Sequence, residues 1–156
     1  MRKLLLLPIL VMLVTFTSCK DDEAEPFVET PLDLELKGNW ENFETVAVFI
    51  DGQDKVAHTD TSRAVVKHSF NKPNMKMVHS VSGQEATVNY ALPDSSGTRY
   101  IVISDSQNNQ DVFEIKSLTA TDMVWEKVVR YASYKKDDTY ITSRRGTWTY
   151  KFRKVE

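Results

Sequence analysis

Few residues of this 156-residue chain have side chains that could do chemistry: it has three histidines and one cysteine. His68 and His79 fall on the apolar side of two adjacent predicted strands, so both can point into one cavity. A metal site there would lack a third ligand of clear identity, although an aspartate or glutamate could supply one. Met77, on the same side, suits a soft ligand or an adaptable apolar pocket. Because histidines that only hydrogen-bond are far more common, we predict an apolar pocket and no metal site.

Composition and motifs exclude several function classes. The chain has 20 basic and 22 acidic residues, which argues against a nucleic-acid partner. A single cysteine excludes an internal disulfide framework and a cysteine-based zinc cluster. There is no Gly-x-Ser-x-Gly elbow, phosphate-cradling glycine loop or His-Glu-x-x-His helix. We therefore predict that the protein is not an enzyme and holds no cofactor.

The N-terminus reads as a processing signal. Three residues that include Arg2 and Lys3 precede an apolar run over residues 4–14, which is too short to span a membrane as a helix. Residues 16–19, Phe-Thr-Ser-Cys, resemble the lipobox of bacterial lipoproteins. That resemblance implies that residues 1–18 are removed as a signal peptide and that Cys19 carries acyl chains such as palmitate. We therefore expect the membrane to be a partner, through the acyl chains on Cys19.

The residues after the cysteine bear on localisation. Residues 20–23, Lys-Asp-Asp-Glu, resemble the acidic export signal that directs some Gram-negative lipoproteins to the outer face of the outer membrane. Acidic runs are also usual in solvated tethers, and residues 19–33 have the composition of a flexible spacer. We expect a lipid-anchored outer-membrane protein that is exposed on the cell surface. An anchor facing the periplasm is the alternative.

The remaining residues, 34–156, are predicted to form one all-β domain. Apolar and polar residues alternate with period two, and the intervening segments carry Gly, Pro, Asn or Asp. The segment 122–134 also fits a helical spacing, but its β-branched and aromatic residues favour a strand. We predict an antiparallel up-and-down β-barrel with eight strands, over residues 39–50, 63–70, 75–81, 86–92, 99–104, 111–117, 122–134 and 139–153.

The start of this domain carries a family resemblance. Gly38-Asn39-Trp40 has the Gly-x-Trp pattern and resembles the first strand of lipocalins and lipocalin-like proteins, and the block 113–125 resembles a second recurring segment. The resemblance implies that Gly38 allows a close turn, that Trp40 plugs the closed end and that an arginine of the last strand packs over Trp40. Arg153 is the nearest candidate, although strict alternation places it opposite Trp148, Tyr150 and Phe152.

Charge is unevenly distributed along the chain. Twelve acidic and three basic residues lie between residues 19 and 61, whereas nine basic and two acidic residues lie between residues 127 and 154. Opposite charges would favour pairing of the first and last strands, which are neighbours in a closed barrel. The rival interpretation is a basic patch for an anionic partner, formed by Arg144, Arg145, Lys151, Arg153 and Lys154.

Two functions remain open. In the first, the barrel binds one small apolar or amphipathic ligand at its mouth. The predicted lining consists of His68, Met77, His79, Tyr90 and Trp125. In the second, the barrel is filled by its own side chains and acts as an accessory or interaction protein, with a protein partner at the cell surface.

Overall fold

The computed structural model describes residues 30–95 and 97–156. The predicted signal peptide, Cys19 and the first part of the predicted tether lie outside the described residues. Helix α1 spans Pro31–Leu36 and begins at a capping box, in which Thr30 and Asp33 each bond the other's backbone N–H. The folded part therefore includes residues 31–33, which the sequence assigns to the tether.

In the part of the chain that the structure describes, twelve strands follow the helix. They are β1 (Gly38–Ile50), β2 (Val56–Ser62), β3 (Val66–Asn71), β4 (Asn74–His79), β5 (Glu85–Ala91), β6 (Asp94–Ser95), β7 (Thr98–Ser104), β8 (Gln110–Leu118), β9 (Asp122–Arg130), β10 (Ser133–Lys136), β11 (Thr139–Thr142) and β12 (Arg145–Val155). All of their pairings are antiparallel.

Eight of these strands close into a barrel in the order β1-β3-β4-β5-β7-β8-β9-β12, and β12 pairs back with β1. Neighbouring strands of the barrel follow one another along the chain, interrupted by β2, β6, β10 and β11, which lie outside the ring. The predicted up-and-down barrel is therefore confirmed. The pairing of the first and last strands is confirmed too, with Lys151 bonded to Glu44 and Arg153 to Glu41 across it.

The structure adds elements that the sequence patterns did not predict. Strand β2 pairs with the second half of β1, and β10 and β11 form a separate hairpin between β9 and β12. The predicted strand over 122–134 is broken at Tyr131, whose φ is 55°. This left-handed conformation cannot continue a strand, and the chain turns there into the β10–β11 hairpin.

A bulge in β1 separates the part of the strand that pairs with β3 from the part that pairs with β2, while β12 pairs along both parts. Residues 38–42 pair with β3, whereas residues 45–50 extend beyond the barrel and pair with β2. At the bulge the buried Asn42 donates from Nδ2 to the carbonyl oxygens of Glu44 and Lys151, both at 3.1 Å. The Thr45 hydroxyl donates to Asn42 Oδ1, also at 3.1 Å. These bonds satisfy the polar groups that the bulge leaves free.

The two parts of β1 belong to two separate cores. The barrel encloses the larger core, which contains Leu36, Trp40, Phe70, Met75, Tyr90, Ile101, Phe113, Ile115, Met123, Trp125 and Phe152. Beyond the barrel, the β10–β11 hairpin packs on the extension of β1 through Ala47, Phe49, Ala132 and Tyr134. His58 of β2 stacks on Tyr134 there, with ring centroids 4.6 Å apart.

Helix α1 and Trp40 close one end of the barrel. Trp40 is fully buried, and its Nε1 donates to the Leu36 carbonyl at 2.8 Å. Gly38 has a φ of 118°, a conformation that favours glycine. The basic side chain over the Trp40 ring belongs to Lys154, whose Nζ lies 5.1 Å from the ring centroid.

The expectation for Arg153 therefore needs correction. Arg153 lies over the ring of Phe43 at 5.6 Å and pairs with Glu41. Alternation along β12 is the physical reason, because it places Arg153 on the face opposite Phe152. Lys154 is the direct cross-strand partner of Trp40 and thus takes the position over its ring.

Candidate functional site

Burial of the inward-facing side chains decreases toward the end of the barrel opposite α1. Met75 and Ile101 are fully buried, whereas Met77 and Ile103, each two residues further along its strand, are half-buried. On β8, the inward-facing Phe113 is buried, whereas Asp111, two residues earlier on the same face, is exposed. This end, which we call the open end, exposes the inner face of the barrel to solvent.

Below the open end, aromatic rings fill the barrel. Trp125 lies at the centre of this packing, with its ring centroid 4.5 Å from Phe152, 5.5 Å from Phe113 and 5.8 Å from Phe70. Tyr90 packs edge-on against Phe70 at 5.4 Å. These separations are those of directly packed aromatic pairs, so the lower barrel is occupied by side chains.

His68 is part of this packed layer. It is 7% exposed, and its ring packs edge-on against Phe152 at 5.2 Å and Trp125 at 6.1 Å. Burial lowers the pKa of His68 to about 4, against a smaller opposing effect of the Val66 carbonyl, which lies 3.2 Å from Nδ1. The imidazole is therefore neutral at pH 7 and supplies no positive charge to a ligand.

Trp125 carries an unsatisfied donor beneath the open end. Its indole Nε1 is buried and has no hydrogen-bond partner among residues 30–95 and 97–156. Buried donors are nearly always paired, and leaving one unpaired costs about 1–3 kcal/mol. The aromatic packing around Trp125 is thus maintained at an energetic cost.

The floor of the open end is apolar. Met77, Val88, Ile103 and Tyr150 are half-buried and pack on the barrel core. Phe113 contacts Tyr150, with ring centroids 5.6 Å apart. Burial raises the pKa of the Tyr150 hydroxyl, with a smaller contribution from Asp111, so this group stays neutral at physiological pH.

Polar groups lie on the rim of the open end. Lys127 follows Trp125 on the inward face of β9, and its Nζ lies 2.5 Å from Asp111 Oδ1 and 5.7 Å from the Phe113 ring centroid. His79 accepts a hydrogen bond at Nδ1 from the Ser82 backbone N–H at 3.3 Å. The open end thus combines an apolar floor with an ion pair and a histidine on its rim.

The five predicted lining residues lie at different depths in the barrel. Met77 and His79 are at the open end, as a ligand site requires. His68 and Trp125, the cross-strand partners of Met77 and Tyr150, are buried beside its floor, and Tyr90 is buried within the core. The alternation patterns place all five on the inner face, but no local pattern shows how deep each one lies.

Sequence reasoning missed several residues of the site. Val88 and Ile103 belong to the floor, and Phe113 and Lys127 lie beside it. Alternation with Tyr90 and Trp125 was a signal that could have found Val88 and Lys127, because residues two apart on a strand share a face.

No group of three or more His, Cys, Asp or Glu side chains that could hold a metal ion occurs within residues 30–95 and 97–156. In the same residues, no helix has both the length and the apolar character needed to cross a membrane.

Comparisons with known proteins give structural likenesses only. No family model matches the chain, and no curated protein matches it. A lipocalin-like protein from Bacteroides uniformis has a TM-score of 0.41 and 11% identity, over 78% of this chain and 99% of that one. Lobster apocrustacyanin A1 has a TM-score of 0.42 and 12% identity, over 81% of this chain and 64% of that one. A protein from Bacteroides eggerthii has a TM-score of 0.42 and 13% identity, over 77% and 99%.

At these TM-scores and identities, the classification of the fold rests on the strand pairing. Eight consecutive antiparallel strands return to the first strand, and the inner face of the ring is apolar. The chain is thus an all-β protein with a closed, eight-stranded, antiparallel barrel, to which structures of lipocalin-like proteins are similar.

Proposed function

We propose that this protein is a lipid-anchored binding protein whose open end receives a small amphipathic molecule. The observation that carries the proposal is the decrease in burial along the inner face, which leaves Met77, Val88 and Ile103 partly exposed at the open end of the barrel. The mouth of a β-barrel, with apolar groups and a few polar ones, is a usual place for a small-molecule site.

The arrangement of the open end limits the ligand. Its apolar part would contact Met77, Val88 and Ile103, and a polar group would reach the Lys127–Asp111 pair. Because buried aromatic residues lie directly opposite these groups, with His68 paired to Met77 and Tyr90 to Ile103, the ligand would enter the barrel only a short distance. A long acyl chain would extend outside the barrel, so we propose a short or compact ligand.

A substitution that places a bulky side chain at the rim of the open end tests this proposal. Ala86 is exposed and is the cross-strand partner of Met77, so Ala86→Trp places a large side chain at the open end without disturbing the core. The adjacent Thr87 is exposed on the outer face, so Thr87→Trp is the matched control. Binding is followed by titration with the uncharged fluorescent probe N-phenyl-1-naphthylamine and by competition with octanoate.

We expect saturable binding of the probe, an affinity at least tenfold lower in Ala86→Trp, and little change in Thr87→Trp. Absence of saturable binding in the unsubstituted protein would refute the proposal. Equal effects of the two substitutions would place the probe elsewhere on the molecule.

A filled barrel that acts through a protein partner is the second candidate. The observation that favours it is the packing of Trp125, Phe152, Phe113 and Phe70 within the barrel. This candidate predicts no saturable probe binding, together with a specific partner recovered by crosslinking on intact cells. The probe titration therefore separates the two candidates.

The proposed anchor rests on the lipobox resemblance at Cys19 and has its own test. Cells that express the full chain would be labelled with an alkyne analogue of palmitate, and we expect Cys19→Ser to abolish the label. Cleavage of the protein by protease added to intact cells would support the outer face of the outer membrane. Protection until the outer membrane is opened would support the periplasmic face.

A further inference from the structure

A basic cleft lies on the outer face of the sheet where β9 and β12 extend beyond the barrel. Arg130 and Arg145 are cross-strand partners there. Together with Val128, Tyr131 and Arg144 they line a cavity of about 460 Å³. This cleft is formed by outward-facing residues and is separate from the open end.

The two cross-strand arginines differ from Lys151 and Arg153 of β12. Lys151 and Arg153 each pair with a glutamate of β1. Neither Arg130 nor Arg145 forms an ion pair with any residue in 30–95 or 97–156. Like charges directly opposite each other on a sheet are destabilising, so this pair costs stability unless an anion joins it.

Tyr131 and Arg144 complete the cleft in a fixed arrangement. Tyr131 is 76% exposed with a φ of 55°, an unfavourable conformation for a bulky residue. Its backbone N–H donates to the Arg144 carbonyl, and the Arg144 N–H donates to the Ile50 carbonyl, both at 2.9 Å. Arg144 also bonds Asp54 through its exposed side chain at 2.7 Å. The backbone therefore fixes the position of residue 131 next to Arg130 and Arg144, from which the Tyr131 side chain lines the cleft.

We infer that this cleft binds a phosphate monoester attached to a ring. Each guanidinium can donate two parallel hydrogen bonds to phosphate oxygens. Two adjacent, unpaired cations favour a group with a charge near −2, as a phosphate monoester has at neutral pH. The exposed ring of Tyr131 offers a flat apolar surface for the ring that carries the phosphate.

Calorimetric titration of the full-length protein in non-ionic detergent tests this inference, with phenyl phosphate as the probe. Benzoate carries a similar ring and a single negative charge, so it serves as the matched ligand. We expect saturable binding of phenyl phosphate and at least tenfold weaker binding of benzoate. Equal affinities would overturn the assignment to a phosphate monoester, and no binding of either would overturn the site.

Substitutions locate the binding. Arg130→Gln and Arg145→Gln should each weaken phenyl phosphate binding at least tenfold. Arg63 is exposed elsewhere on the molecule and lies 3.8 Å from Glu44, so Arg63→Gln removes the same charge as a control and should change the affinity less than twofold. An equal loss in the control would show that only net charge matters, and would overturn the site.

Two further measurements separate binding from folding. Because Arg130→Gln removes a like-charge contact, its melting temperature should be equal to or above that of the unsubstituted protein, while binding is lost. Glycine favours the backbone conformation at position 131, so Tyr131→Gly should keep the fold. It should weaken phenyl phosphate binding but not inorganic phosphate binding. A lower melting temperature in Arg130→Gln, or unchanged phenyl phosphate binding in Tyr131→Gly, would contradict the inference.

Discussion

Mild acid should destabilise the protein through His68. The pKa of this buried histidine is about 4 in the native barrel, against 6.5 for an ordinary histidine. Between these values the unfolded chain binds a proton that the native protein does not. His68 therefore does not lower the free energy of unfolding above about pH 6.5. Below this pH the free energy of unfolding falls as the pH decreases, and the loss due to His68 is complete below about pH 4.

The size of the loss follows from the two pKa values. The difference between 6.5 and about 4 corresponds to about 3 kcal/mol when the loss is complete. About 2 kcal/mol of this is lost between pH 7 and pH 5. With a urea slope of about 2 kcal/mol per molar, the unfolding midpoint should decrease by about 1 M over this range.

Urea unfolding at pH 7, 6 and 5 measures the effect, with His68→Phe as the comparison. Phenylalanine fills a similar volume in the aromatic layer and does not titrate, so the difference between the two proteins isolates His68 from the other histidines. We expect the unsubstituted protein to lose about 2 kcal/mol more than the variant. Equal losses, or an NMR titration of the His68 ring near pH 6.5, would refute the reasoning.

Two substitutions test the packing of the remaining structure by urea unfolding. A Cβ at Gly146 would lie 2.7 Å from the Ala132 Cβ, so Gly146→Ala should cost about 1–3 kcal/mol. Gly52 has open space around it, and Gly52→Ala should change stability by less than about 0.5 kcal/mol. Asp33 is buried and lies 2.8 Å from Lys72 Nζ, so Asp33→Asn should cost about 3 kcal/mol. Glu35→Gln removes only an exposed pair and should cost less than about 1 kcal/mol. A loss in either control as large as in its partner would contradict the corresponding reason.

The barrel was predictable because its strands alternate clearly and its first and last strands carry opposite charges. Each of the eight predicted segments overlaps a different strand of the barrel. Strand β2 was missed because nearly all of its residues are exposed, so it has no apolar alternation. Helix α1 was missed because its six residues, Pro31–Leu36, continue the acidic, proline-containing composition of the tether.

Alternation in the sequence predicted which face of the strands carries the site residues, but not how deeply each residue is buried. Alternation correctly placed Met77 and Trp125 on the inner side, yet Met77 is half-buried at the open end and Trp125 is 2% exposed beneath it. Depth depends on the register and tilt of all eight strands around the ring. Those are set by contacts between residues distant in sequence, which no local pattern contains.

The distribution of stabilising and costly features supports a functional role for the two exposed regions. At the closed end, Trp40 bonds Leu36, and Asp33 caps α1 and lies 2.8 Å from Lys72 Nζ, although its buried Oδ1 accepts no hydrogen bond of good geometry. Near the two exposed regions, the costly features are the unpaired Nε1 of Trp125 and the strained Tyr131. Each costs on the order of 1–3 kcal/mol, a substantial part of the 5–15 kcal/mol that stabilises an ordinary domain. Because strain persists only where the surrounding structure maintains it, the packing of the rest of the domain must offset these costs.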